Sequence, residues 1–557
     1  MNRIILLGVA VITLASCELD PQPIQDQSSE DLWSHATYGE GILTRAYTGL
    51  DNSYPIFMDT YTDNAVPSVP GLNSLALGNW TVENNPIGNW EESYNNIKYL
   101  NIFLENSKDL IYQVSDPTRD SILKVHRRGE AFFLRAWYTA QLLKHYAGPV
   151  NSEILGIPVV TEALDLEDDL DLARDDYEVV VQQIVEDLDS AIVRLPLKYD
   201  NGSDPFSGLV NRGRASGLGA MALKARVYLN AASPAYGPST QQLWARAAEA
   251  AAEAIIASGG LDDLEPFGNF NDATSFDNIW IQPTYVSSNL ERNYYPPSLF
   301  GNGLINPSQN LVDAFPAEDG YPVHLSGQYS EDAPYDSLDP RFDRFIFFNG
   351  DEYNGTIIET FEGGSDAPGG LSQQGTRTGY YLKKLLSKDV ELTPGDITSD
   401  VKFYVFLGMT ELYLNFAEAA NEAYGPMDAS LGFSALDAMM EIRERAGIDS
   451  DESLEGYQDE YLVSQANEGK DAFRALIHNE RRIELAFEGF RFWDIRRWGL
   501  PLDHTIEGVR IIRNNGTFSY EYFPVERHVY EDYMRYVPLP YSQTLIMDNL
   551  KQNDGWN

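Results

Sequence analysis

The spacing of apolar residues predicts a mainly helical chain. Residues 34–50 and 90–106 repeat apolar side chains at helical intervals, the second with Trp90, Tyr94, Ile97 and Asn101 in register. Residues 128–146 are apolar nearly all round, which predicts a helix buried on most sides and ended by Gly148-Pro149. A cleaner stripe of Val181, Ile184, Leu188 and Ile192 predicts an amphipathic helix over 177–195, closed by Pro196. Residues 216–232 and 243–258 are Ala-rich and read as a helix pair whose backbones approach closely, with Gly259-Gly260 as the stop. Helical spacing returns at 404–424, 434–446 and 471–487. It is absent from 51–89, and from 267–400, where Gly, Pro, Asn and Tyr are frequent; the tail from 501 to 557 reads as irregular, with short strand-like pieces.

Tandem helix pairs with small residues at their contacts predict a tetratricopeptide-like stack, mainly over 31–260 and 401–500, although the strict repeat signature is missing. The loop-rich 267–400 would pack against it. Loops of that length in a compact body carry function or are disordered, and their aromatic content argues for function. No linker divides 31–557 into two domains.

The N-terminus reads differently. Asn2 and Arg3 precede an apolar run over 4–14, too short to cross a bilayer, and then Leu14-Ala15-Ser16-Cys17. This order resembles a bacterial lipobox, so residues 1–16 are read as an export signal and Cys17 as the lipidated start of the mature chain. Cys17 is the sole cysteine and can form no internal disulfide. Residues 17–30 are polar and contain proline, as a tether would.

Charge narrows the partners. With 84 Asp and Glu against 40 Lys and Arg, the net charge is −44, which repels nucleic acid and anionic lipid. It also argues, more weakly, against a polyanionic ligand. Motifs narrow the chemistry. The chain has no phosphate-binding loop, dinucleotide fingerprint or nucleophile elbow, its seven histidines are scattered, and no Cys/His cluster suggests a metal, so no cofactor is expected. With 84 acids, no carboxylate pair can be singled out for glycosidase work.

One segment is specific. Residues 479–499, NERRIELAFEGFRFWDIRRWG, closely resemble the signature of the SusD/RagB family of outer-membrane nutrient-uptake lipoproteins. The segments GEAFFLRA at 129–136, LKARVYL at 223–229, ELYLNFAEA at 411–419, IRERAG at 442–447 and LKQNDGW at 550–556 match in the family's order. The resemblance implies four tetratricopeptide-like helix pairs with a loop-rich remainder. It implies a non-catalytic, surface-exposed glycan receptor of the Bacteroidetes that closes over a SusC-like TonB-dependent transporter in the outer membrane. Glu18 and Asp20, close behind Cys17, resemble the acidic export signal of such lipoproteins. The same fold binding peptide or another nutrient, and a helical glycoside hydrolase, stay open. The alternating charges of the signature read as ion pairs locking a helix and its following turn, and Trp493 and Trp498 read as core.

Family ligand sites vary, so site candidates come from aromatic residues without an evident structural duty. A pyranose stacks its C–H face on a ring while its hydroxyls seek polar partners. Aromatic residues make up 12% of the chain. Trp80, in the loop Leu77-Gly78-Asn79-Trp80-Thr81, has an amide beside it in Asn79. Trp280 sits in a strand-like Asn278-Ile279-Trp280-Ile281-Gln282, facing away from the two isoleucines. Tyr285, Tyr294 and Tyr295 follow in the loop-rich segment, with Arg292 as a donor to hydroxyls. Asp63 and Asn64 are weaker polar candidates. Trp33, Trp90, Trp137 and Trp244 read as structural.

Overall fold

The computed structural model describes Trp33 and residues 36–261, 264–265, 272–449 and 456–556. Cys17, the signal over 1–16 and the tether over 17–30 lie outside the described residues. Eleven helices carry the body: α1 (Ala36–Thr48), α2 (Trp90–Asn106), α3 (Pro117–Tyr146), α4 (Tyr177–Ile192), α5 (Gly217–Ala232), α6 (Gln241–Ser258), α7 (Met409–Ala423), α8 (Ala435–Ala446), α9 (Glu460–Glu468), α10 (Lys470–Glu484) and α11 (Phe490–Arg497).

The ends of these helices follow from local chemistry. The helix expected over 128–146 starts a full three turns earlier, because Asp116 caps the amides of Thr118 and Arg119 and Pro117 occupies the first turn. Ser216 caps α5 through the Gly219 amide, and Ser434 with Asp437 forms a capping box on α8. The segment expected as one helix over 404–424 divides. Val405–Gly408 is a strand paired with Asn278–Ile281, and α7 begins only at Met409. β-Branched and aromatic residues at 401–406 explain the strand.

The helices pack serially from α1 to α6, each against its neighbour, and α7 then docks on α6. Ala248, Ala251, Ala252 and Ala254 of α6 and Ala417, Ala419 and Ala420 of α7 are buried. Small side chains let these backbones approach, so the tetratricopeptide-like stack stays continuous although the chain leaves it at Gly259 and rejoins it at Gly408. One core runs through the stack; a second, around Phe315, Phe342, Phe345, Leu382 and Phe487, holds the loop-rich half to the signature.

The tail departs from the irregular reading. Thr505–Asn514 and Thr517–Arg527 form a ten-pair antiparallel hairpin turning at Asn515-Gly516, with φ of 50° and 93° at the turn residues. Among the described residues no helix is long and apolar enough to cross a membrane.

The signature's charges form ion pairs, but only Asp494 with Arg481 and Arg497 locks the helix to the next as expected; the others reach residues distant in the chain. Glu480 lies between Arg341 and Arg443, Glu484 between Arg341 and Arg445, and Asp494 between Arg481 and Arg497. Trp498 is buried and donates to Glu418 at 2.8 Å; Trp493 is half-buried, over Lys144.

Removing one partner of a buried pair strands the other. We expect Glu480→Gln to lower unfolding free energy by about 3–5 kcal/mol in urea titrations. Acid should act through Glu418. Burial raises its carboxyl, but the Arg497 guanidinium outweighs burial and holds it near 2, against 4.5 when unperturbed. A carboxyl depressed by folding stabilises the native state above its unfolded pKa and loses that contribution as pH falls toward the folded value. Between about pH 4.5 and pH 2 the wild-type urea midpoint should therefore fall more steeply than that of Glu418→Gln.

Candidate functional site: a loop surface around Phe300

The two tryptophans expected as sugar platforms are core. Trp80 is 2% exposed: its ring packs edge-on against Trp556 at 5.0 Å, and its indole N–H donates to Asn85. With Phe492 and Tyr530 it surrounds the buried guanidinium of Arg496, whose carbon lies 3.5 Å from the Phe492 centroid and 5.7 Å from that of Trp80. The loop holding Trp80 folds onto Tyr530 and Trp556 of the C-terminal segment.

Trp280 is also 2% exposed, set among Phe406 at 4.4 Å, Phe133 at 4.8 Å and Trp137 at 4.9 Å, with its N–H donating to the Gly213 carbonyl. The alternation expected along its strand is not seen: Trp280 and Ile281 are both buried, and Ile279 is half-buried against the same core as Trp280, so the tryptophan meets the helical stack instead of solvent.

Tyr295 is buried, with its hydroxyl on the Ser387 carbonyl at 2.6 Å, and Tyr294 is half-buried between two apolar clusters. Asp63 and Asn64 are buried too. Asp63 receives Arg491 through both carboxylate oxygens and pairs with Arg482, while Asn64 accepts from Arg482 and donates to Asp59. They pin the first long loop to the signature. Burial would raise the Asp63 carboxyl, but the two guanidinium groups drive it far below the usual carboxylate range.

Asn79, Tyr285 and Arg292 reach the surface. Asn79 is exposed, and its carbonyl accepts from the Asn84 side chain within its own loop. Tyr285 is 39% exposed on the strand Tyr285–Ser287. Arg292 stands on the short helix Asn289–Tyr294. The preceding Glu291 is buried and paired with Lys402 at 2.6 Å, which fixes the helix so that Arg292 faces solvent and donates to Ser288.

Next to Arg292 lies a ring that helical periodicity passes over. Phe300 is 55% exposed and adopts φ 62°, a left-handed conformation costly for an aromatic residue. The turn that imposes it is fully specified. The amides of Asn302, Gly303 and Leu304 donate to the carbonyls of Arg292, Tyr295 and Asn293, and the Ser298 amide donates to the Asp366 carboxylate at 2.8 Å. A Cβ on Gly301 would sit 2.2 Å from the Tyr295 oxygen, and one on Gly303 2.3 Å from the Tyr381 ring. The surface signal was an aromatic residue ahead of Gly-Asn-Gly. Arg292, Phe300 and Asn302 are thus brought onto one rigid turn, a stacking face beside hydrogen-bonding groups.

The seam between stack and loops holds a cavity of about 410 Å³, lined by Asp277, Glu411, Glu484, Glu488, Lys384 and Arg445 among others. Four of its acids are ion-paired: Glu411 with Arg226, Glu484 with Arg341 and Arg445, Glu488 with Lys384, Asp277 with Arg445. Burial raises the Glu488 carboxyl despite Lys384. Among the described residues no three His, Cys, Asp or Glu side chains are grouped to hold a metal ion.

The fold is shared with known proteins. Residues 269–556 match the model of the SusD family, and residues 22–229 match a model described as starch-binding, associating with outer membrane. The chain belongs to the SusD family. It is 25% identical over 500 residues, 85% of its length and 81% of the relative's, to SusD-like protein P25 of Formosa agariphila. A SusD-like protein of Bacteroides fragilis superimposes with a TM-score of 0.72 at 24% identity, over 96% of this chain and 99% of that one. A second from that organism, described as a SusD-like carbohydrate-binding protein, gives 0.71 at 21% identity over 93% and 100%.

Burial makes Trp80 and Trp280 stability residues. Trp80→Ala and Trp280→Ala should each cost about 3–5 kcal/mol of unfolding free energy, seen as a lowered urea midpoint; an unchanged midpoint would contradict their place in the core.

Proposed function

We propose that this protein is a non-catalytic receptor that captures oligo- or polysaccharide at the cell surface and passes it to a SusC-like TonB-dependent transporter. The observation that carries the reading is membership of the SusD family through matches over 22–229 and 269–556. It gains support from the Phe300 turn, which offers a ring face and nearby polar groups, the pairing a sugar needs.

The protein would be anchored in the outer membrane through acyl chains on Cys17, facing outward. Several acyl chains hold a body at a bilayer without a spanning helix. With a net charge of −44, a neutral glucan or fructan is the favoured ligand.

Affinity electrophoresis against amylopectin and inulin tests the ligand class, with retardation by one of them expected. Phe300→Ala should weaken the binding of the retained glycan at least about tenfold, near 1.4 kcal/mol, at an unchanged melting temperature. Wild-type affinity in that variant would remove the turn from the site. Protease added to whole cells should digest the protein; protection would contradict the surface location.

A further inference from the structure

The C-terminal hairpin carries an aromatic shelf that the Phe300 turn does not use. Side chains alternate along a strand, so Phe518, Tyr520 and Tyr522 lie on one face, successive rings about 7 Å apart. Their cross-strand partners are Arg513, Ile511 and Val509. Ile511 and Val509 are buried on the core, but the second strand overhangs it: Tyr520 is half-buried, while Phe518 is 36% and Tyr522 53% exposed. Loops extend the row. Phe361 lies 5.7 Å from Phe518, and Tyr335 lies 5.7 Å from Tyr520.

Polar groups suit the rings to sugar. The Arg513 guanidinium sits 5.4 Å from the Phe361 centroid and 6.0 Å from that of Phe518, and it has no carboxylate partner among the described residues. Its N–H donors are therefore open to hydroxyl oxygens. Tyr520 and Tyr522 add phenols. Glu521 and Pro524, on the same strand, are both exposed and blunt this edge against addition of another strand, which leaves ring stacking as the chemistry of the face.

The shelf is joined to the Phe300 turn by a single loop. Asp366 holds the Ser298 amide at the turn, and five residues earlier Phe361 packs on Phe518 while the Glu362 amide donates to the Ile511 carbonyl.

We propose that Phe518, Tyr522 and Arg513 form a second glycan platform, which takes the further sugar units of a polysaccharide held at the Phe300 turn. This inference rests on the glycan-receptor reading. A short oligosaccharide occupies one platform only, whereas a polymer engages both, and the second contact is made at the high effective concentration of an intramolecular event.

The test uses the full-length protein and the variant Phe518→Ala/Tyr522→Ala, with melting temperature as a control for folding. Affinity gels containing amylopectin or inulin report polymer binding, and titration with maltotriose or kestose reports short-chain binding. The expected result is at least a tenfold loss of affinity for the retained polymer, with trisaccharide affinity and melting temperature unchanged. Wild-type retardation of the variant overturns the second platform and leaves the receptor reading standing. If neither polymer retards the wild-type protein, both fall. A variant that keeps polymer affinity but no longer co-purifies with a barrel transporter would assign the shelf to a protein partner and overturn the proposal.

Discussion

The buried charge lattice of the signature is the interaction on which the arrangement of the halves depends. Within two turns of α10, Glu480 and Glu484 receive Arg341 from the loop-rich half and Arg443 and Arg445 from α8, while Arg481 reaches Asn415 on α7 and Asp494 on α11. Arg482, on the same helix, binds Asp63 and Asn64 of the first long loop. Desolvating so many charges is costly, and pairing roughly offsets it, so the lattice adds little net stability compared with an apolar core. Its contribution is geometric. A guanidinium accepts few carboxylate orientations, and each wrong docking would strand a charge.

Long-range contacts of other kinds place the tryptophans. From sequence, a tryptophan in a long loop looks free. Trp80 is instead drawn inward by Arg496, whose buried guanidinium is enclosed by rings and has no carboxylate within ion-pair distance among the described residues. Trp280 is drawn inward because its strand pairs with Val405–Gly408, directly against the helix carrying Phe133 and Trp137. Both burials rest on contacts between segments more than a hundred residues apart in the chain, which no local pattern encodes.

The helices were legible because their information is local. The stripe Val181, Ile184, Leu188 and Ile192 is buried or half-buried as spaced, and Trp90–Asn106 has the bounds its periodicity gives. The early start of α3 was also written locally, in Asp116-Pro117, and was passed over because the first turns are polar. The hairpin at 505–527 was harder to read: Asn515-Gly516 marks its turn and residues 518–522 alternate, but Phe523-Pro524 breaks the alternation and most of the second strand is exposed. Phe300 was missed for a related reason. Its exposure follows from the left-handed turn and the close approach of Gly301 and Gly303, not from periodicity.

The excursion from Gly259 to Gly408 bears on the order in which the chain folds. Helices α1 to α6 make contacts with sequence neighbours and can zip together as they emerge. The docking of α7 on α6 must first close a very long loop, whose entropy grows only slowly with length but is lost before any contact repays it. The segments that present Arg292, Phe300 and Phe518 therefore settle late, after the first six helices have formed the surface onto which α7 closes. Lengthening that excursion would add little to the closure cost, so the segment carrying Arg292 and Phe300 can grow while the zipped helices keep their register.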